Sequence, residues 1–337
     1  MNAVIDIVIP VWNHPVETRD CLVNLMNHTP GARFILVDHG SERETERMLQ
    51  EIADGLDDRA LLLRDDHNLG FVRAANRGLA RSEAPYVALV RHTTVVSPGW
   101  IDPILEFAAA RPEAGVLLPC TAGDARAGDR PIEVESGSFA AMVLTRETYR
   151  AVGGFDEGLD GGAWCLKDFT RRACAAGLFT FLVPASSVTS SEEVQLGSLK
   201  RREEALERSI RTFRGRWGEG RGYCVHVPSG VDVALLSQKL EVLVKGARHG
   251  DRFRVFLPAK LARQAESAGL ASLHENVRLV HLPRLSGDAG RRRLYERICL
   301  EERAAEAVSA VDGIPFPWSE SYLPFTALCD RILAGYR

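Results

Sequence analysis

Apolar runs and amphipathic segments alternate along the first half of the chain. Residues 5–9, 34–37, 60–63 and 86–90 are short hydrophobic runs that read as strands. Between the first two, Val16, Leu22, Val23, Leu25 and Met26 recur near helical spacing, and Met48, Leu49 and Ile52 do so after the second. A strand–helix–strand–helix opening predicts a mostly parallel central sheet flanked by helices.

Further strands are predicted at 116–118, 139–144 and 179–183, with a polar, Gly-rich loop over 121–130 placed as a mobile element over a site. Leu199, Leu206, Ile210, Phe213 and Trp217 fall on one face of a helix otherwise rich in Arg and Glu, so that helix is expected to pack on the sheet. Gly215, Gly218, Gly220 and Gly222 mark a break. It divides the chain into domains at 1–220 and 221–337. The second reads as a small α/β layer: strand 223–227, helix 231–243, strand 253–257, helix 261–268, strand 277–282 and a helix over 291–310. Its aromatic end, with Phe316, Trp318, Tyr322 and Phe325, is expected to pack on another surface, such as a second copy of the chain in a homodimer.

Composition narrows the class. The 337 residues are 45% hydrophobic and 26% charged with a net charge of −3, which suits a soluble globular protein and gives no basic field for nucleic acid. Asp6 interrupts the first apolar run, no basic segment precedes it, and no stretch approaches the ~20 apolar residues of a membrane span. A cytoplasmic protein is expected. The Arg-rich stretches at 200–202 and 291–293 are either solvated helix faces or a peripheral membrane contact. Seven cysteines without a Cys-x-x-Cys pair argue against a zinc knuckle or a disulfide framework.

In open α/β sheets ligands bind beyond the carboxyl ends of the strands. Those positions hold Pro10, Trp12 and Asn13; Asp38, Gly40 and Ser41; Asn68, Gly70, Phe71, Arg73, Ala74, Asn76 and Gly78; and Arg91, His92, Thr93 and Thr94. Gly153-Gly154-Phe155-Asp156-Glu157 and Phe213-Arg214-Gly215-Arg216-Trp217-Gly218 follow. In order and spacing, residues 4–220 resemble the family 2 glycosyltransferases of the GT-A fold, in their rhamnosyltransferase-like subgroup. The resemblance implies a nucleotide-diphospho-sugar transferase fold, a UDP- or dTDP-sugar donor and a glycan, lipid-linked or protein acceptor, as in polysaccharide biosynthesis. It implies nucleotide contacts from Pro10, Trp12, Asn13, Asp38, Gly40, Asn68, Gly70, Arg73, Asn76, Arg91 and His92. Read without the family, Asp38 is equally a turn residue before Gly40 and Arg73 a solvated surface charge.

The pattern breaks where the family places its metal and its base. Alignment on residues 94–100 puts Arg91, His92 and Thr93 where a cluster such as Asn-Asn-Asp is usual, so Thr93 replaces the metal-binding carboxylate. His92 beside an arginine is a poor Mg2+ or Mn2+ site, because those ions prefer oxygen donors. Arg91 either takes over the cation's charge or caps a strand. Cys165 and Leu166 stand where a Glu-Asp pair is usual, leaving Asp168, with Asp156, Glu157 and Asp160 as neighbouring candidates for a general base. Ser190, Ser191 and Glu192 replace a usual histidine. Two readings stay open: an inverting, metal-independent transferase, or an inactive protein that binds nucleotide or carbohydrate or acts as a scaffold.

Overall fold

The computed structural model describes residues 3–121, 124, 128–191, 199–283, 287–302 and 305–335. It forms two compact units, Met1–Pro131 with Ser136–Arg216, and Ile132–Glu135 with Trp217–Arg337. Half of the loop expected at 121–130, and Glu192, lie outside the described residues.

The chain runs β1 (Ile5–Val11), α1 (Pro15–His28), β2 (Arg33–His39), α2 (Arg43–Leu56), β3 (Ala60–Asp65), α3 (Phe71–Leu79), β4 (Tyr86–Val90), β5 (Thr94–Val96), α4 (Asp102–Ala110) and β6 (Ala114–Thr121). It continues with β7 (Ile132–Glu133), β8 (Ala141–Thr145), α5 (Arg146–Val152), α6 (Trp164–Ala175), β9 (Phe179–Ser190) and α7 (Leu199–Trp217). The first unit's sheet is ordered β3, β2, β1, β4, β8, β6, β9, β5. Its first four strands are parallel; β8 runs against β4 and β6, β9 runs with β6, and β5 runs against β9. This is the expected α/β arrangement of a central sheet with flanking helices, with antiparallel pairs at β8 and β5 beside the parallel strands.

Every residue of β1 is buried, as a central strand covered on both faces requires. Its one charge, Asp6, is matched by Arg33 through a two-pronged pair at 2.8 and 2.9 Å and accepts the Glu83 and Ala84 backbone N–H groups. A buried carboxylate is tolerated when it is paired in this way. Helix α3 lies close on the sheet at Gly78, where a Cβ would come within 2.3 Å of Val8 Cγ1. The chain leaves β1 for β2 on one side and returns to β4 on the other. Such a reversal opens a crevice at the carboxyl ends of the strands.

Helix α7 packs through its later turns. Phe213 is buried with its ring 4.9 Å from that of Trp164, and Ser209 Oγ accepts the Gly161 N–H. Leu206, expected on the same face, is 39% exposed.

The second unit contains β10 (Gly222–His226), α8 (Val233–Arg248), β11 (Arg252–Pro258), α9 (Ala259–Ser267), β12 (Val277–Leu282), α10 (Asp288–Glu301), β13 (Glu306–Ser309), β14 (Leu323–Pro324) and α11 (Phe325–Ala334). Its sheet is parallel throughout, in the order β12, β11, β10, β13, β14. From β7, Glu133 grips Arg248 at 2.7 and 2.9 Å.

Two expectations are corrected here. The helix read over 291–310 ends at Glu301, and Glu306–Ser309 form a strand beside β10. Ala307, Val308 and Ser309 are buried in succession, the pattern of a covered strand rather than of a helical stripe. The aromatic end is also absorbed by its own unit: Phe316 and Trp318 are buried around Phe256 and Tyr295, and Trp318 Nε1 donates to Asp288 at 2.9 Å.

Candidate active site

The loops after β1, β2 and β3 are tied to one another by polar side chains. Asn13 sits at φ 56, an unusual conformation for a residue with a Cβ. It is held there because its N–H donates to Ser41 Oγ at 2.9 Å and its Oδ1 accepts the Glu42 N–H at 2.8 Å. Asp38 is 2% exposed and accepts the Ser41 N–H at 3.0 Å, so it shapes the turn that the bare sequence suggested. Gly40 has φ 86, and a Cβ there would lie 2.6 Å from the His67 carbonyl carbon; only glycine lets the β2 and β3 loops meet. Asn68 Oδ1 accepts the Gly70 N–H at 2.8 Å and lies 3.0 Å from His39 Nδ1. Asn13, Gly40 and Asn68 thus brace the crevice. Pro10 is buried within β1, and Trp12 is half-buried just beyond it.

Beyond these braces lies a cavity of about 460 Å3 in the first unit. Leu69, Phe71 and Phe139 give it apolar walls; Arg73 and Arg91 supply cations, and Glu157 and Asp160 supply carboxylates. The Phe71 and Phe139 rings meet edge to face at 5.0 Å. Gly70 starts α3 at the cavity's rim. Glu157 pairs with Arg73 at 3.1 Å and is 46% exposed; Asp160 is 54% exposed and lies 3.4 Å from Arg208.

The two carboxylates placed first as catalytic candidates sit elsewhere in a network. Asp168 is fully buried, with one oxygen 2.8 Å from Arg172 Nε and the other 2.5 Å from Arg216. Asp156 receives the same Arg216 at 2.7 Å and the Gly158 N–H at 2.9 Å, and the Arg216 hydrogen bond holds its carboxyl below the usual range. Both are anchors for the loop that carries Glu157 and Asp160. Cys165 and Leu166 are buried in the core, and burial pushes the Cys165 thiol up to about 12. Asn76, expected on the nucleotide, bonds the Phe155 backbone at 2.8 and 2.9 Å and donates to Glu157 at 3.3 Å.

At the end of β4, three consecutive residues each leave a buried polar atom without a hydrogen-bond partner: Arg91 Nε, His92 Nε2 and Thr93 Oγ1. His92 is 3% exposed, its ring lies 5.9 Å from that of His14, and it bonds the Pro10 backbone. Burial, with His14 nearby, pulls its pKa down to about 4, so the imidazole is neutral. These residues do not suit a divalent cation. They offer no carboxylate, and no group of three His, Cys, Asp or Glu among the described residues could hold a metal. At the position of the usual histidine, Ser190 Oγ accepts from Thr94 Oγ1 at 3.2 Å.

Of the sequence candidates, the structure brings Gly70, Arg73, Arg91, Glu157 and Asp160 to one cavity and makes Asn13, Gly40, Asn68, Asn76, Asp156 and Asp168 its framework. Phe139 carried no sequence signal. His14 and His39 were legible only as histidines next to recognised positions.

Residues 6–149 match the model of the family described as Glycosyl transferase family 2. A mannosyltransferase from Pyrobaculum calidifontis in complex with GDP-Man and Mn2+ superposes with a TM-score of 0.50 at 16% identity, over 63% of this chain and 64% of that one. GalNAc-T7 with UDP, GalNAc and Mn2+ gives 0.52 at 15% identity, over 64% and 50%. At such identities the likeness establishes the fold, which is GT-A. A glycosyltransferase of Haemophilus influenzae described as uncharacterized is 25% identical over 104 residues, 31% of this chain. That match spans about a third of the relative's own length, 32%.

Proposed function

We propose that this chain transfers a sugar, with inversion, from a nucleoside-diphosphate sugar to a hydroxyl of a glycan or lipid-linked acceptor. The observation that carries the reading is the cavity lined by Arg73, Arg91, Glu157 and Asp160 at the carboxyl ends of a GT-A sheet. The nucleoside, from a UDP- or dTDP-linked donor, sits in the crevice by Pro10, Trp12 and Asp38, and the diphosphate turns toward Gly70 and the two arginines. The N-terminus of α3 adds backbone N–H groups and a favourable dipole for that anion. A general base within reach of the acceptor hydroxyl completes an inverting displacement. Asp160 fills that role best. Its carboxylate is more than half exposed at the cavity with one distant partner, whereas Asp168 and Asp156 are committed to Arg216.

The likeness of its motifs to rhamnosyltransferases favours a deoxyhexose as the sugar, and the apolar Phe71–Phe139 wall suits such a group. No helix among the described residues is long and apolar enough to cross a membrane, and a cytoplasmic enzyme touching a membrane-borne acceptor is consistent with that. A second reading, an inactive nucleotide-binding protein, draws on the burial of Cys165 and Leu166 at the usual base position.

Donor hydrolysis and transfer assays with UDP- and dTDP-sugars decide between the two. We expect turnover that Asp160→Asn reduces by about a hundredfold or more with donor affinity retained, the scale of general-base catalysis. Donor binding without turnover in the parent protein would select the second reading. Absence of donor binding would remove both.

A further inference from the structure

Buried polar atoms without partners are uncommon in folded proteins, and each calls for an explanation. Here three occur in a row, on Arg91, His92 and Thr93, directly after β4 and beside the strand-order reversal. Arg91 also lines the cavity, and Arg73 is its second cation. The three atoms have complementary chemistry. Arg91 Nε is a donor with a permanent positive charge, and the Thr93 hydroxyl both donates and accepts. The neutral His92 ring leaves Nε2 without a partner, and it donates or accepts according to the tautomer. Of the three, Arg91 is the one that lines the cavity, and an anionic ligand there, such as a nucleoside diphosphate, meets its charge.

Resting on the donor reading above, we propose that this site binds its nucleoside diphosphate without a divalent cation. Arg91, supported by Arg73, supplies the positive charge on the diphosphate. A guanidinium suits the role, because it stays charged, is less strongly hydrated than an ammonium and can present two N–H groups to one phosphate. Thr93 fits the same scheme. A carboxylate there would be drawn to Arg91 and would cancel the charge the diphosphate needs, whereas a hydroxyl can bond a phosphate oxygen.

The test is calorimetric titration of the full chain with UDP, dTDP and uridine, in EDTA and again with Mn2+. We expect nucleoside diphosphate to bind in EDTA with an affinity that Mn2+ changes by less than about threefold. Arg91→Met should weaken diphosphate binding by roughly tenfold to hundredfold, the scale of a lost charge-assisted hydrogen bond, and leave uridine within about threefold. Arg91→Lys should recover part of the loss. Should Arg91→Met fail to fold, Arg91→Lys and the salt dependence of the parent protein carry the test, since a guanidinium–phosphate contact weakens as salt rises. Binding that appears only with Mn2+ overturns the proposal and leaves the donor reading intact. So does an Arg91→Met variant that loses uridine and diphosphate alike. No nucleotide bound under either condition overturns the donor reading itself, and this inference with it.

Discussion

The carboxamide of Asn76 is joined to the backbone of Phe155 in both directions: Oδ1 accepts the Phe155 N–H at 2.8 Å and Nδ2 donates to its carbonyl at 2.9 Å. One side chain on α3 therefore mimics a strand neighbour for the loop that bears Glu157 and Asp160. The fit is close, since a Cβ on Gly154 would fall 2.6 Å from Asn76 Oδ1. Asn76→Ala removes both partners from a partly buried backbone and should lower stability by about 2 kcal/mol, the sum of two ordinary hydrogen bonds. Urea unfolding measures this. Because the loop carries the proposed base, turnover should fall further than donor affinity does.

A second anchor gives a sharper division of roles. Arg216, at the end of α7, holds Asp156 and Asp168 together. Its own side chain is 40% exposed, so water can replace part of what is lost, and Arg216→Met should cost about 2 kcal/mol. Asp168→Asn should destabilise the fold in the same way. If Asp168 only anchors, its Asn variant, assayed well below its melting temperature, should keep most of the parent's turnover, whereas Asp160→Asn should not. Paired melting curves and initial rates make the comparison.

These anchors also show where sequence reasoning reached and where it stopped. The order of strands and helices through β4 was legible because each β run is short, apolar and bounded by turn residues, and each helix repeats near 3.6. Recognising Gly40, Gly70 and Gly154 marked the loops correctly. What the pattern does not encode is the use of each polar side chain. Asn76 and Asn68 were expected on the nucleotide, yet their amides bond Phe155, Glu157, Gly70 and His39. Nothing one-dimensional tells a buried Asp168 from an exposed Asp160 eight positions earlier; that depends on where Arg216, 48 residues further along, comes to lie. The helix read over 291–310 failed for a related reason, since four residues of strand leave too short a pattern to interrupt a helical one.

The cysteines should separate by environment. Cys21 and Cys165 are buried, and burial pushes both thiols up to about 12. Cys299 differs: a hydrogen bond from Cys224, whose sulfur lies 3.5 Å away, lowers its pKa, and its side chain is only partly covered. Because the thiolate is the reactive form, Cys299 should be alkylated before Cys21 and Cys165 at neutral pH. Timed iodoacetamide labelling with peptide mass mapping tests the order. Cys224→Ala removes the donor beside Cys299 and should slow its labelling, whereas labelling that is unaffected would show that Cys224 does not stabilise the thiolate.

His92 makes stability depend on pH in a stated direction. In the unfolded chain it takes up a proton near the ordinary histidine pKa of about 6.5. In the fold, burial lowers that value to about 4. The unfolded state therefore binds the proton first as pH falls, so this contribution is fully present above about 6.5 and drains away between there and about 4. The shift corresponds to roughly 3 kcal/mol by pH 4. His226 in the second unit is lowered to about 4 by burial as well, so each unit should weaken over the same interval. Replacing His92 with Asn removes the titration, and unfolding midpoints recorded from pH 4 to 8 should then fall less steeply for the first unit alone. The same variant bears on the site. A neutral ring down to pH 4 means that loss of nucleotide affinity between pH 8 and 5 cannot come from His92, and a slope that disappears in the Asn variant would show that the imidazole titrates in the folded protein after all.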